Sequence, residues 1–74
     1  MGNQEIMIKD LVSALIKRIV ERRKYLKISQ EKLAKIIGTS RFKIMRIENE
    51  EVEISVSEYL KICIVLDLIP FENC

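Results

Sequence analysis

The chain holds no histidine and no tryptophan, and only one proline, two glycines and two cysteines among its 74 residues. Without histidine, the side chain that most readily carries protons or binds zinc near neutral pH is missing. Cys63 and Cys74 are too few for a disulfide framework, and no close cysteine pair offers a zinc site, so a reducing cytoplasm is the expected setting. No nucleophile and base pair, metal-ligand set or phosphate loop is visible, which argues against an enzyme and against a cofactor or small-molecule substrate. Long hydrophobic runs are missing too. Lys9, Asp10, Lys17 and Arg18 break the N-terminal apolar stretch, so neither a secretion signal nor a membrane span is expected.

Aromatic residues make up only 5% of the chain, whereas hydrophobic residues make up 49%. The core must therefore be built from Ile, Leu, Val and Met, which suits packed helices. The length implies one domain over residues 1–74, near the lower size limit for independent folding and too small for a deep catalytic pocket. An all-α, compact bundle of four to five helices is expected.

Charge of both signs is plentiful but segregated. Residues 17–46 hold eleven basic residues against two acidic ones, and residues 48–74 hold one against seven. A concentrated basic segment attracts phosphate; the competing reading is a set of solvated helix faces.

From about Gln4 to Leu26 no proline or glycine intervenes, and Ile8, Leu11, Val12, Leu15, Ile16 and Ile19 share an arc of about 140°. This spacing predicts one long amphipathic helix, with an extension over about 4–18. Ser29 is placed to cap a second helix whose Leu33, Ala34, Ile36 and Ile37 face inward. Gly38 can end that helix in the left-handed conformation, Thr39 or Ser40 can cap a third running to about Glu48, and Ile44 and Ile47 are its buried pair. Ser55 and Glu58 form a capping box ahead of a fourth helix from near Val56. The tail with Leu68, Ile69 and Phe71 is too apolar for a free end and is expected to dock.

Two short helices joined at one glycine, over about 30–48, let the second lie in a DNA major groove while the first braces it. Arg41, Phe42 and Arg46 project from that second helix, with Lys43 beside them. Arginine can fork onto guanine O6 and N7, and an apolar ring can meet thymine methyl groups. The competing readings are a solvated surface for the arginines and packing against the preceding helix for Phe42.

Arg23, Ile28-Ser29-Gln30-Glu31-Lys32-Leu33-Ala34, Gly38, Ser40-Arg41, Ile44, Arg46-Ile47-Glu48-Asn49, Ser55, Leu60 and Leu66 together resemble the helix-turn-helix family of the lambda repressor and Cro proteins, the XRE family. The likeness spans roughly residues 19–68. It implies that Gln30 and Asn49 hold DNA phosphates, that Arg41, Phe42 and Arg46 read base edges, and that Ser40 and Lys43 contact backbone or bases. It also implies a structural salt bridge between Arg23 and Glu48, and a setting inside a bacterial, phage-infected or archaeal cell. The chain departs from the pattern at Glu50, where glycine is usual, at Glu51 and Glu53, where a basic loop is common, at Arg22, and in its long N-terminal helix.

The function implied is that of a sequence-specific, double-stranded-DNA-binding transcriptional regulator acting as a homodimer on a two-fold related operator, such as a phage-type repressor or restriction-modification controller. The dimer interface is expected at Ile64, Leu68, Ile69 and Phe71, in a C-terminal tail over about 64–74. The apolar N-terminal extension, with Ile6, Met7, Ile8, Leu11 and Leu15, is either a second such surface or additional core. The alternative is a protein-interaction module, such as an antitoxin, that engages a protein partner through the acidic loop.

Overall fold

The side-chain oxygens of Ser29, Ser40 and Ser55 accept the backbone N–H groups of Lys32, Lys43 and Glu58 at 3.0, 3.1 and 3.0 Å. Each serine satisfies a donor that the first turn of a helix leaves unpaired. In the computed structural model, which describes residues 2–70 with side chains from Met7 onward, these caps open the last three of four helices. The order is α1 Gly2–Tyr25, α2 Gln30–Ile37, α3 Arg41–Glu48 and α4 Val56–Leu66, with no strand among the described residues. At α4 the capping box is complete, because the Glu58 carboxylate accepts from the Ser55 N–H at 3.1 Å.

The four helices end alike. The N–H groups of Ile28, Thr39, Glu51 and Leu68 donate to the carbonyls of Arg23, Ala34, Arg46 and Cys63, five residues back, at 3.0, 2.8, 2.9 and 2.9 Å. The residue before each donor is left-handed: Lys27 at φ 59°, Gly38 at 81°, Glu50 at 59° and Asp67 at 56°. These are Schellman turns, and only one of the four uses the glycine that suits them.

Helix α1 packs on α3 and α4, and α2 on α3 and α4, around Ile16, Ile19, Leu33, Ala34, Ile44, Ile47, Tyr59, Ile62, Cys63 and Leu66. Burial pushes the Cys63 thiol pKa up, against smaller lowering effects of the Tyr59 hydrogen bond and the Arg18 charge. The end of α4 and the residues after it dock on α1 and on α4 itself: from α1, Arg22 Nε donates to the Leu66 carbonyl at 2.9 Å and Arg18 to that of Ile69, and from α4 the Tyr59 hydroxyl donates to that of Pro70. Arg22, unusual in sequence, thus satisfies an unpaired carbonyl at the end of α4.

One expectation needs correction. Ile36 does not face inward but is 53% exposed, because Leu33, Ala34 and Ile37 define the buried arc of α2 and Ile36 stands about 100° from its centre. The alternatives left open for the N-terminal extension divide along α1: Ile8, Leu11 and Val12 are 60%, 61% and 41% exposed, whereas Leu15 is half-buried against the core and Ile16 is buried within it. A helix of 24 residues outruns partners of 8 and 11, so its N-terminal half passes beyond the shared core. Ile6 (its side chain), Phe71 and Cys74 lie outside the described residues.

Candidate functional site

The arrangement of α3 begins with its buried side. Ile44 and Ile47 are each 1% exposed and lock the helix against the core. On a 3.6-residue repeat, the opposite direction belongs to Phe42, Met45, Arg46 and Asn49, with Arg41 at its flank. Arg41, Phe42, Arg46 and Asn49 are all exposed, whereas Lys43 and Met45 are half-buried. Phe42 keeps 61% of its surface in solvent, and the Arg46 guanidinium lies over its ring at 5.2 Å from the centroid. That stacking holds the arginine fork beside the ring instead of leaving it to sample solvent.

Beneath this face lies an ionic joint. Arg23, 8% exposed, donates from Nε to Glu48 Oε2 at 2.6 Å, from Nη2 to Glu48 Oε1 at 2.9 Å and from Nη1 to the Ile28 carbonyl at 2.9 Å. The same Glu48 Oε1 accepts from Gln30 Nε2 at 2.9 Å. One carboxylate therefore ties the end of α1, the start of α2 and the end of α3. It also fixes the direction of Gln30, the first residue of α2.

Ser40 sits at the α3 N-cap with its oxygen engaged by the Lys43 N–H, so its remaining hydrogen-bonding capacity faces outward. Asn49 is the α3 C-cap residue, and its Nδ2 donates to Glu51 Oε2 at 3.3 Å. Glu51 Oε1 stands 3.8 Å from Arg46 Nε, and Glu58 Oε2 stands 3.9 Å from Lys43 Nζ. Two of the three cations on α3 thus have an acid from outside the helix beside them.

The acidic loop does not behave as one unit. Glu50 turns back and accepts from Ser13 Oγ on α1 at 2.6 Å, Glu51 turns toward Asn49 and Arg46, and Glu53 is exposed. Together with Lys9 these carboxylates rim an open groove of about 570 Å³ floored by Ile8, Val12, Ile16, Ile47, Val52 and Ile54.

Sequence reasoning singled out Arg41, Phe42, Arg46, Gln30, Ser40, Lys43 and Asn49, and the fold gathers all seven along α3 and its junctions with α2 and the following loop. It missed Met45, on the outward side of α3, and the pairing of Glu51 and Glu58 with the α3 cations. The Glu51 contact had no direct signal in the residue types, because it depends on Glu50 adopting the left-handed conformation that glycine usually supplies at a helix end.

Among the described residues no three His, Cys, Asp or Glu side chains are placed to hold a metal ion. No helix among them is long and apolar enough to cross a membrane. The sequence model of a family described as helix-turn-helix matches residues 19–72. Neither the curated proteins nor the solved structures gave a match.

Proposed function

The chain belongs to the XRE/Cro-type helix-turn-helix family of DNA-binding regulators, and from that premise we propose that it reads a two-fold related operator as a homodimer. Arg41, Phe42 and Arg46 meet base edges in the major groove, while Gln30, Ser40, Lys43 and Asn49 hold the backbone on either side. The observation that carries this reading is the outward face of α3, where Phe42, Arg46 and Asn49 stand together opposite the buried Ile44 and Ile47.

What supports dimerisation is apolar surface on α4 and the tail: Ile64 is 79% and Ile69 61% exposed, and Leu68 is half-buried. Phe71, expected in the same interface, lies outside the described residues. Half-sites in such operators lie about one DNA turn apart, so the reading requires two copies joined there to hold their α3 helices at that spacing. The biological role that fits is a phage-type repressor or restriction-modification controller.

The test is selection of bound sites from random duplex DNA at two salt concentrations. A two-fold symmetric motif supports the reading. Binding that is salt-sensitive but without a motif removes the operator, and absence of binding removes the function.

A second reading is supported by the groove between the N-terminal half of α1 and the acidic loop. Its apolar floor and carboxylate rim suit a basic amphipathic segment of a protein partner, as in an antitoxin. Retention of function after Gln30→Ala, Arg41→Ala and Arg46→Ala together would favour it.

A further inference from the structure

Glu51 places one carboxylate oxygen on each of two donors proposed to engage DNA: Oε2 accepts from Asn49 Nδ2 at 3.3 Å and Oε1 stands 3.8 Å from Arg46 Nε. We propose that this carboxylate is an intramolecular surrogate for DNA, which occupies Arg46 and Asn49 in the free protein and must be displaced on binding. The inference rests on the DNA-binding reading above.

The placement of Glu51 is set by the backbone. Its N–H donates to the Arg46 carbonyl at 2.9 Å, closing the Schellman turn in which Glu50 is left-handed at φ 59°. The residue after a left-handed helix end is thereby held against the last turn of α3, and its side chain has only a short reach to Arg46. A carboxylate offers Asn49 the acceptor oxygen and negative charge of a DNA phosphate and offers Arg46 an acceptor in place of a guanine edge, so it satisfies both donors.

The consequence is lower affinity, most of all for the operator. Displacement is paid in full where Arg46 leaves Glu51 to meet its base, and only in part on random DNA, where Arg46 can keep its carboxylate partner. It also damps the salt response. When Arg46 neutralises DNA charge, counterions leave the duplex, but the released carboxylate gathers cations and offsets part of that release.

The experiment compares wild type with Glu51→Gln and Glu53→Gln on the selected operator and on a random duplex, across a salt series. Glu53→Gln removes the same charge from the same loop but touches neither Arg46 nor Asn49 in the described residues. Expected for Glu51→Gln is a rise in affinity of about two- to fivefold on the operator and a smaller rise on the random duplex, in keeping with an exposed ion pair. Its log–log salt slope should steepen by up to about 0.9. In an Arg46→Gln background the gain should shrink, whereas the effect of Glu53→Gln should not change. Equal effects of the two glutamine variants, or a gain that survives Arg46→Gln undiminished, overturn the proposal. If no variant binds either duplex, the DNA-binding reading itself fails, and that result is distinct from the first two.

Discussion

Arg23, near the end of α1, grips Glu48, the last residue of α3, through both Nε and Nη2 at 2.6 and 2.9 Å. Their side chains are only 9% and 6% exposed, so neither charge has water to fall back on. Removing one partner should therefore be worse than removing both. Arg23→Met is expected to cost about 3–5 kcal/mol in urea unfolding, and Arg23→Met with Glu48→Met distinctly less than the two single losses together. Additive losses would show that the pair does not couple.

The four helix ends give a prediction of opposite signs. Gly38→Ala places a side chain at φ 81°, where no atom lies within 4 Å, so its cost of about 1–2 kcal/mol is purely one of backbone conformation. Lys27 is exposed at φ 59°, and Lys27→Gly should raise stability by about 0.5–1 kcal/mol. Thermal unfolding of the two variants checks both; a loss of stability in Lys27→Gly would contradict the assigned conformation.

Cys63 is fully buried and its thiol pKa is raised, chiefly by burial. The folded thiol then keeps its proton to higher pH than the unfolded one. Its contribution to stability is whole below the ordinary thiol range and is lost as pH rises through and beyond it. In a Cys74→Ser background, Cys63 should resist alkylation at neutral pH until urea unfolds the chain. Unfolding free energy should also drop more between about pH 8 and about pH 10 than in Cys63→Val.

Phe42 supports Arg46 from 5.2 Å and contributes little to the core, being 61% exposed. Phe42→Ala should leave unfolding stability within about 0.5 kcal/mol of wild type. Operator binding should weaken nonetheless. Arg46→Ala should cost about 1–3 kcal/mol and relax preference at one operator position, whereas Gln30→Ala should weaken all sequences alike. Competition binding with single-base operator variants separates these outcomes, and a uniform loss from both changes would undo the assignment of roles.

Ile64 is 79% exposed, so Ile64→Glu has no packed contact to lose within one copy. On the proposed dimer, sedimentation equilibrium should nevertheless show wild type as two copies and Ile64→Glu as one, with a matching loss of operator affinity. Leu11→Glu, at 61% exposure on the N-terminal extension, should leave the dimer intact. The reverse pattern would transfer the interface to α1.

Much of this architecture was legible because local chemistry marked it. Ser29, Ser40 and Ser55 announced three helix starts, Ile44 and Ile47 oriented α3, and the resemblance paired Arg23 with Glu48. Less legible were features that depend on where helices stop. Lys27, Glu50 and Asp67 adopt a backbone shape that their residue types do not advertise, so the fold-back of Glu51 onto Arg46 was hidden. The exposure of Ile8, Leu11 and Val12 was hidden for a different reason. A periodic stripe tells which side of α1 is apolar, but how far the stripe is covered depends on the lengths of the helices laid against it.

The brevity of α3 sets a limit on information. Eight residues rise about 12 Å, the length of about four base pairs. Four positions carry about eight bits, one match in about 256 random sites, while even a small genome presents about 10⁶ competitors, or about twenty bits. One copy of this helix can specify a word but not an address. Two copies at fixed spacing, as proposed, would supply about sixteen bits, and the remainder would then have to be written in the bendability of the DNA between them or in repeated operators.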